Sequence, residues 1–392
     1  MLRVNSVQIE GIGPIKNLHL AFNDHFNIVC GQNGIGKTTI LDCISQSFSG
    51  ASTSLKRTAG LERGVLSVNI SFGKTTSQKS VIIDKFRPDD NNRNVNGFYE
   101  VSNEVIVFRT HRNIPYKKLT SLGTDVVKNI YAFASDTIAG TATDTIKNWF
   151  INRYLFSAQP NTLEENQFRN FELAKECFTI LNSNISFSRI IPNSFDVLLN
   201  TSLGEIYFEY LSSGYKSCLA VLLGLIEQVE LRYKDPTIYI KDFSGIVIID
   251  ELDLHLHPDW QAKIYKALKI ILPNAQIFTS THSPHIIQIA EPQEIIALVY
   301  DGENNIEVNS LLNEKYGYQG WTVEEVLHDV MGMAETRTDS YLEAIDGFNK
   351  AIESENCEEA QHFFEILDAM LHPANSLRKV LKIQLIGIAA ND

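Results

Sequence analysis

Cysteine is scarce in this chain of 392 residues, and none of its five cysteines forms a C-x-x-C pair. Paired cysteines are typical of disulfide-stabilised secreted domains and of thiol-ligated metal sites. The five scattered thiols are therefore predicted to be reduced and mostly buried, as in a cytoplasmic protein.

Long apolar runs are missing too. The longest, CLAVLLGLI at residues 218–226, is too short to cross a bilayer. The start of the chain, MLRVNSVQIE, alternates like a strand and does not resemble a signal peptide. We therefore expect a cytoplasmic protein with no membrane partner.

The chain also lacks a surplus of positive charge, since its formal net charge is −13 at pH 7. This argues against a surface that binds nucleic acid all over, although a local basic groove would need only a patch. No long heptad run is present, which excludes long coiled-coil arms.

What the chain does contain is the stretch GQNGIGKTT at residues 31–39, which has the form G-x-x-x-x-G-K-T. A strand-like segment precedes it and a helical apolar stripe follows it, which is the context that this phosphate-binding motif requires. Its glycines let backbone N–H groups point at phosphates, and the helix adds its positive end. The candidate nucleotide-binding residues of this phosphate loop are Asn33, Gly34, Gly36, Lys37, Thr38 and Thr39. Thr38 is also predicted to offer its hydroxyl to Mg²⁺.

A second motif, GIVIIDELDLHLHP at residues 245–258, predicts a buried parallel strand that ends in Asp250 and Glu251. The carboxyl ends of such strands are where α/β sheets bind ligands. Asp250 is predicted to hold Mg²⁺, and Glu251 to polarise the attacking water as a general base. A plain buried strand with an acidic helix cap is the alternative, and the phosphate loop in the same chain favours the catalytic interpretation.

A third motif, LSSGYKS at residues 211–217, precedes an apolar-striped helix. Ser212 and the Gly214 amide are predicted to form a second anion site at the N-terminus of that helix. One triphosphate rarely needs two such sites in one chain, whereas a symmetric dimer needs both if each helix end faces the γ-phosphate bound by its partner. The alternative is an ordinary serine-capped core helix.

A fourth motif, QIFTSTHSPHII at residues 276–287, predicts another buried strand followed by His282. An imidazole there could hydrogen-bond the γ-phosphate and report its presence. A metal cluster of His255, His257, His282 and His285 is the alternative, but no cysteine or spare carboxylate is spaced to complete it.

Strand and helix patterns suggest four parts. Residues 1–116 and 204–310 are predicted to form the two halves of an ATPase core, and residues 117–203 an inserted helical lobe. Residues 311–392 are predicted to be helical, with a partner or oligomer surface at 381–388 or, alternatively, a closing core helix there. Residues 4–11 and 18–30 are each predicted to form one strand.

The order of these motifs resembles the ABC-type ATPases of the SMC, RecF and OLD group over nearly the whole chain. In that group LSSGYKS would be the signature motif, with Ser213 in place of a glycine and Tyr215 in place of glutamine or glutamate. Asp253 would be the dimer-contact aspartate. The usual glutamine after the strand at 105–108 is not evident, and His111 or Arg112 are candidates to replace it.

This resemblance implies an α/β fold: an ABC-type P-loop ATPase head built on a mixed sheet with an antiparallel β subdomain, an inserted helical lobe and C-terminal helices. It also implies ATP and Mg²⁺ as cofactors, with ATP hydrolysis as the activity.

The longer phrase IIDELDLHLHPDWQAKI is similar to stand-alone bacterial defence ATPases, notably the Septu ATPase-subunit family and its retron-associated relatives. That similarity implies a homodimer or higher oligomer that regulates a separate HNH-type nuclease, with DNA or retron RNA/DNA as a possible partner. Nuclease chemistry is not expected in this chain, because its last part holds no glutamate and D-x-D constellation.

Three functions remain in view. The first is an ATP-dependent switch subunit of an anti-phage complex. The second is a RecF-like repair ATPase that binds DNA directly. The third is a nucleotide-gated scaffold that hydrolyses little ATP.

Overall fold

The computed structural model describes residues 1–50, 52–93, 97–112, 114, 116, 119, 121–309, 315–333 and 335–389. The chain divides into two compact units, residues 1–332 and residues 333–392. The predicted boundaries near residues 117 and 311 lie at or beside residues outside this description, so the four-part division stays a prediction.

A six-stranded mixed sheet forms the centre of the first unit. In spatial order its strands are β15 (Ile306–Val308), β14 (Ile295–Tyr300), β3 (Phe26–Gly31), β13 (Gln276–Ser280), β12 (Ile246–Ile249) and β8 (Val105–Phe108). The strands from β14 to β8 are parallel, and β15 forms an antiparallel hairpin with β14. The strands β3, β12 and β13 are buried along their whole length, as continuous apolar runs in parallel sheets are expected to be.

An antiparallel sheet forms a second layer of the same unit. Its order is β2 (Ile15–Ala21), β1 (Leu2–Ile12), β5 (Gly64–Phe72) and β6 (Thr75–Ile83). Alternate residues of β5 are buried, which is the pattern of a sheet with one face on the core. A short pair, β4 (Ser52–Thr53) and β7 (Asn92–Arg93), accompanies it.

The prediction of one strand over residues 18–30 is wrong, because that segment contains the end of β2 and all of β3. Asn23 makes the turn between them: its side-chain oxygen accepts a hydrogen bond from the His25 N–H, and its amide donates to the Phe26 carbonyl. Asparagine favours turns through such local hydrogen bonds.

Helices cover the sheets of the first unit. The helices of the first unit are α1 (Lys37–Gln46), α2 (Ile130–Ala139), α3 (Ile146–Ser157), α4 (Glu165–Leu181), α5 (Ser213–Arg232), α6 (Pro258–Ile271), α7 (Pro284–Ile289) and α8 (Val323–Glu325), the last continued by a π-helical turn at Val326–Val330. Single 3₁₀ turns lie at Tyr99–Glu104, Phe208–Tyr210, Ile240–Asp242 and Pro292–Glu294. A three-stranded sheet of β11 (Gly204–Tyr207), β10 (Val197–Thr201) and β9 (Ser186–Ile190) adjoins α4.

The helix α5 is the buried axis of this unit. Its predicted apolar stripe (Leu219, Leu222, Leu223, Ile226 and Val229) is buried, and so is almost every other residue between Gly214 and Leu231. It packs against α3, α4 and α6, and aromatic rings of α3 and α4 such as Phe150, Phe171 and Phe178 contact one another edge to face. The end of α5 that begins at Ser213 is thereby held in one place.

The second unit consists of α9 (Asp339–Glu353), α10 (Cys357–Met370) and α11 (Leu377–Ala389). Its small core contains Phe348, Leu367 and Leu381. On α11 the side chains of Ile383 and Ile386 are exposed although Leu381 is buried. The predicted contact surface at residues 381–388 therefore combines core and exposed apolar positions, and its role stays a prediction.

The predicted fold class is confirmed: the chain is α/β, with a mixed sheet, an antiparallel β subdomain and many helices. None of the described helices combines the length and the apolarity that a bilayer span requires.

Candidate functional site

The phosphate loop connects β3, an inner strand of the parallel group, to α1. Gly34 and Gly36 have positive φ angles of 78° and 102°, which side chains with a Cβ rarely adopt. A Cβ on Gly34 would meet nothing within 4 Å, whereas one on Gly36 would press on Pro14 and Ile15. The loop therefore has an open side at Gly34 and a closed side at Gly36. Asn33, beside Gly34, is exposed.

Lys37 lies inside this loop. Its side chain is buried, and its Nζ donates to the carbonyls of Gly31 at 2.9 Å and Gln32 at 2.8 Å. Burial lowers the pKa of Lys37, and the nearby groups Cys30, Asp253, Glu251 and Asp250 act in the opposite direction. Since an ammonium carries three donors, these two carbonyls leave one N–H for a phosphate oxygen.

The predicted metal ligands meet at the carboxyl edge of the sheet. Thr38 donates from Oγ1 to Asp250 Oδ1 at 3.2 Å, across 212 positions of sequence. The same carboxylate oxygen accepts a hydrogen bond from Ser280 Oγ at 2.6 Å. Hydroxyl and carboxylate oxygens are the ligands that Mg²⁺ prefers, so this donor set fits that ion. Sequence analysis missed Ser280, whose only signal was its place at the end of a buried strand.

Thr39, the last predicted residue of the loop, is partly buried beside a neighbouring turn. A Cβ on Gly13 would lie 3.1 Å from its Cγ2. Thr39 therefore packs the turn between β1 and β2 onto the start of α1.

Glu251 follows Asp250 in an uncommon backbone conformation. Its φ is 49°, in the left-handed region, where a residue other than glycine stores about 1–3 kcal/mol of strain. Ser280 Oγ accepts a hydrogen bond from the Glu251 N–H at 2.7 Å, and the Glu251 carbonyl accepts one from the Arg112 guanidinium. The predicted general base is therefore held from both sides of its backbone.

His282 lies half-buried beyond β13. Burial lowers the pKa of His282 below its usual 6.5, and the charge of Lys37 lowers it further, so the imidazole is neutral at pH 7. Its backbone N–H donates to Asp253 Oδ1 at 3.0 Å, and Thr281 Oγ1 donates to the same atom at 2.6 Å. Asp253, expected at a dimer contact, thus holds the end of β13 within its own chain; the dimer contact itself stays a prediction.

The predicted metal cluster of four histidines was already the weaker alternative. Within the described part of the chain, no group of three or more His, Cys, Asp or Glu side chains is arranged to hold a metal ion. His257 instead caps α6 with its imidazole, whose Nδ1 accepts from the Asp259 N–H.

The third motif begins α5 as predicted. Ser212 caps the helix, its hydroxyl accepting from the Tyr215 N–H at 3.3 Å, and both Ser212 and Ser213 are exposed. A Cβ on Gly214 would lie 2.9 Å from the carbonyl oxygen of His255, so this glycine lets the loop after β12 pack on the helix. Tyr215 is buried; its hydroxyl donates to the Phe178 carbonyl and its ring contacts Trp260.

Two groups of site residues result. Lys37, Thr38, Asp250, Glu251 and His282 converge on the carboxyl edge of the sheet, whereas Ser212 and Gly214 form a separate helix end. No hydrogen bond between described residues joins Ser212 to the phosphate loop. A cavity of about 380 Å³ opens beside Thr38 and Asp250, and Asp42, Arg109 and His111 line its far side.

Comparison with known proteins finds relatives that match most of the chain. The family model "AAA domain, putative AbiEii toxin, Type IV TA system" matches residues 26–288. The Septu protein PtuA of Bacillus thuringiensis is 46% identical over 388 residues, covering 98% of each chain. A retron Ec83 probable ATPase of Escherichia coli is 25% identical over 192 residues, covering 48% of this chain and 34% of that protein. Among solved structures, an SmcHead bound to the C-winged helix domain of ScpA has a TM-score of 0.49 and 16% identity, covering 80% of this chain and 98% of the other.

Proposed function

Because the chain belongs to the AAA-domain family and, within it, to the Septu PtuA proteins, we propose that it binds and hydrolyses ATP as the switch subunit of a bacterial anti-phage complex. The observation that carries this proposal is the convergence of Lys37, Thr38 and Asp250, with Thr38 Oγ1 and Asp250 Oδ1 3.2 Å apart. Thr38 and Asp250 lie 212 positions apart in the sequence, and a phosphate with its metal ion between them would give the three side chains a common purpose.

Each side chain has one task in this proposal. Lys37 binds the β- and γ-phosphates, and the N–H groups of the loop and of α1 hold the remaining phosphate oxygens. Thr38 and Asp250 would hold Mg²⁺, which neutralises phosphate charge when bound. Glu251 accepts the proton of the attacking water, and His282, neutral at pH 7, donates a hydrogen bond to the γ-phosphate.

The exposed helix end at Ser212 and Ser213 supports a dimer of heads. Since Gly214 packs on the loop after β12, this helix end keeps a fixed position relative to Asp250. In the dimer each Ser212 and Gly214 contacts the γ-phosphate held by the other copy. ATP then joins two heads, and hydrolysis separates them.

A separate nuclease subunit of the HNH type is the proposed partner of this switch. The support is the similarity to a Septu protein over nearly the whole chain. DNA or retron RNA/DNA reaches the complex in this proposal through that partner.

Replacement of Glu251 tests the proposal. We expect Glu251→Gln to lower kcat by about 10²–10⁴-fold, because the general base is lost while the phosphate loop is intact. Phosphate release and ATP binding would be measured on the purified full chain, together with its sedimentation. The variant should bind ATP and accumulate as a nucleotide-dependent dimer.

Glu303→Gln, at an exposed position of the turn after β14, is the matched control and should behave like the wild type. A wild type that binds ATP without releasing phosphate would favour the nucleotide-gated scaffold. Tight, salt-sensitive binding of duplex DNA by the isolated chain would favour the RecF-like alternative.

A further inference from the structure

Arg112 contacts the backbone carbonyls of the predicted metal ligand and of the predicted general base. It follows β8, and only 6% of it is exposed. Its Nη1 donates to the Asp250 carbonyl at 2.5 Å, and its Nη2 donates to the Glu251 carbonyl. One planar guanidinium therefore contacts two consecutive carbonyls of a segment 138 positions away in sequence.

The segment that Arg112 contacts contains the strained backbone of Glu251. Glu251 has a φ of 49°, and a residue of its size leaves that conformation unless neighbouring groups fix it. Ser280 fixes the N–H side of Glu251, at 2.7 Å, and Arg112 fixes the carbonyl side. Without the second contact, rotation about the backbone of Glu251 would move its carboxylate.

Arginine suits this position better than lysine would. Its N–H groups form a rigid planar fork that matches two adjacent acceptors, whereas a lysine ammonium is a flexible point donor. The third nitrogen, Nε, is buried and has no hydrogen-bond partner among the residues that the structure describes. The guanidinium is therefore oriented so that its Nη atoms reach the two carbonyls, while its Nε stays without a hydrogen bond.

The surroundings of the guanidinium are acidic. Burial lowers the pKa of Arg112, and the charges of Asp250, Asp253 and Glu251 and the thiol of Cys218 oppose that effect. A guanidinium remains protonated under such conditions. A fixed positive charge therefore lies behind the predicted metal-binding carboxylate and the predicted base.

We propose that Arg112 is a positioning residue for ATP hydrolysis: it clamps the backbone of Asp250 and Glu251, so that the metal-binding carboxylate and the general base keep their places. This role rests on the proposed function and adds a residue to it. It also distinguishes Arg112 from His111, the two candidates to replace the usual glutamine. The Nη atoms of Arg112 donate to backbone carbonyls, whereas His111 lines the cavity beside Thr38 and Asp250.

The test compares Arg112→Lys and Arg112→Ala with the wild type in the full chain. The matched control is Arg153→Lys, since Arg153 is also buried but forms ion pairs with the carboxylates of Glu230 on α5 and of Asp125, away from the predicted catalytic residues. We would measure kcat and KM for ATP, the affinity for a fluorescent ATP analogue, and the melting temperature. Methylguanidinium would be added to each variant at concentrations that do not denature it.

We expect Arg112→Ala to lose about 10²-fold in kcat, the loss that a displacement of about 1 Å at the reacting groups produces. Arg112→Lys should lie between the alanine variant and the wild type. KM and analogue affinity should change much less than kcat, because Lys37 and the phosphate loop are untouched. Methylguanidinium should restore turnover to Arg112→Ala and leave Arg153→Lys unchanged.

Full turnover by Arg112→Lys and Arg112→Ala would overturn the clamp. So would a parallel loss of analogue binding and turnover in Arg112→Lys, since that would make the arginine a requirement of folding. If Arg112→Ala does not fold, the kcat and KM of Arg112→Lys decide the question. A wild type without phosphate release would instead refute the proposed function, on which the clamp rests.

Discussion

Lys37 is the charged donor of the predicted phosphate loop. It is buried, yet its ammonium is surrounded by the carbonyls of Gly31 and Gln32 and by three carboxylates within electrostatic reach. This arrangement keeps a positive charge at the inner end of a loop whose other donors are neutral N–H groups. Under the proposed function, phosphate oxygens bind there through charge-assisted hydrogen bonds, which are about twice as strong as neutral ones.

Lys37→Ala should therefore weaken ATP binding by about 1.5–3 kcal/mol for each charge-assisted hydrogen bond that is lost. Titration calorimetry with a non-hydrolysable ATP analogue measures this change. Lys74→Ala, at an exposed position in the turn between β5 and β6, is the control and should bind like the wild type. Equal affinities of Lys37→Ala and the wild type would contradict the assignment of the loop.

At this scale the motifs predicted the residues within their own stretches but not the contacts that Ser280 and Arg112 make with Asp250. The phosphate loop and the Asp250–Glu251 pair each lie in one short stretch whose spacing carries the chemistry. Ser280, by contrast, contacts Asp250 from 30 positions away, and Arg112 contacts it from 138. Such contacts depend on which strands become neighbours in the sheet, and no local pattern records that order.

Among the elements, α5 has an exposed start and a buried remainder. Its first residues are exposed and suited to an anion, whereas the rest of the helix passes through the core. Its apolar stripe was predictable from the spacing of leucines. The burial of Glu227 and Glu230 on the same helix was not, because carboxylates are rarely buried and a sequence pattern assigns them to the solvent.

Glu227 makes the stability of this helix dependent on pH. Burial raises the pKa of Glu227 from 4.5 to about 7, and its Oε2 has no hydrogen-bond partner within the described part of the chain. The folded state thus binds the proton more tightly than the unfolded chain does. The free energy of unfolding is therefore highest below pH 4.5 with respect to this group and falls as the pH rises through about 7.

Glu227→Gln should remove this dependence. A shift from 4.5 to about 7, at about 1.4 kcal/mol per pKa unit, gives an upper bound of about 3 kcal/mol for the stability gained above pH 7. Urea denaturation at several pH values between 4.5 and 8 measures the difference, which should vanish towards the acid end. Glu303→Gln, at an exposed position, should show no such trend. A constant difference across the range would refute the raised pKa.

At the scale of the whole molecule, the family prediction is confirmed by the similarity to a Septu protein over 98% of both chains. The core fold was predictable because four motifs in a fixed order require a parallel sheet with loops at one edge. The lobe between β8 and α5 was predicted only as helical and irregular. Aromatic rings of α3 and α4 contact one another there edge to face, and no period in the sequence predicts those contacts.

The proposed dimer gives a test on intact molecules. In the Glu251→Gln background, Ser212→Arg should prevent the ATP-dependent dimer, because a long cationic side chain at the helix end blocks close approach of the second copy. The loss of the N-cap would also lower stability by about 1 kcal/mol, which leaves the monomer folded and able to bind ATP. Analytical ultracentrifugation with and without ATP would measure the association.

The control is Ser77→Arg, a substitution of the same kind at an exposed position of β6. It should dimerise like the parent Glu251→Gln protein. If the Ser212→Arg protein dimerises with the affinity of its Glu251→Gln parent, the helix end at Ser212 does not contact the nucleotide shared by the two copies.

The strand order of the central sheet also determines when the phosphate loop can fold during synthesis. The phosphate loop leaves β3, near the beginning of the chain, but β3 is hydrogen-bonded on both sides by strands that start at Gln276 and Ile295. A ribosome must deliver most of the polypeptide before those neighbours arrive. Until then a nascent chain has its GKTT sequence but no rigid cradle around it, so we expect a newly synthesised chain to acquire the proposed affinity for nucleotide only after both strands have been made.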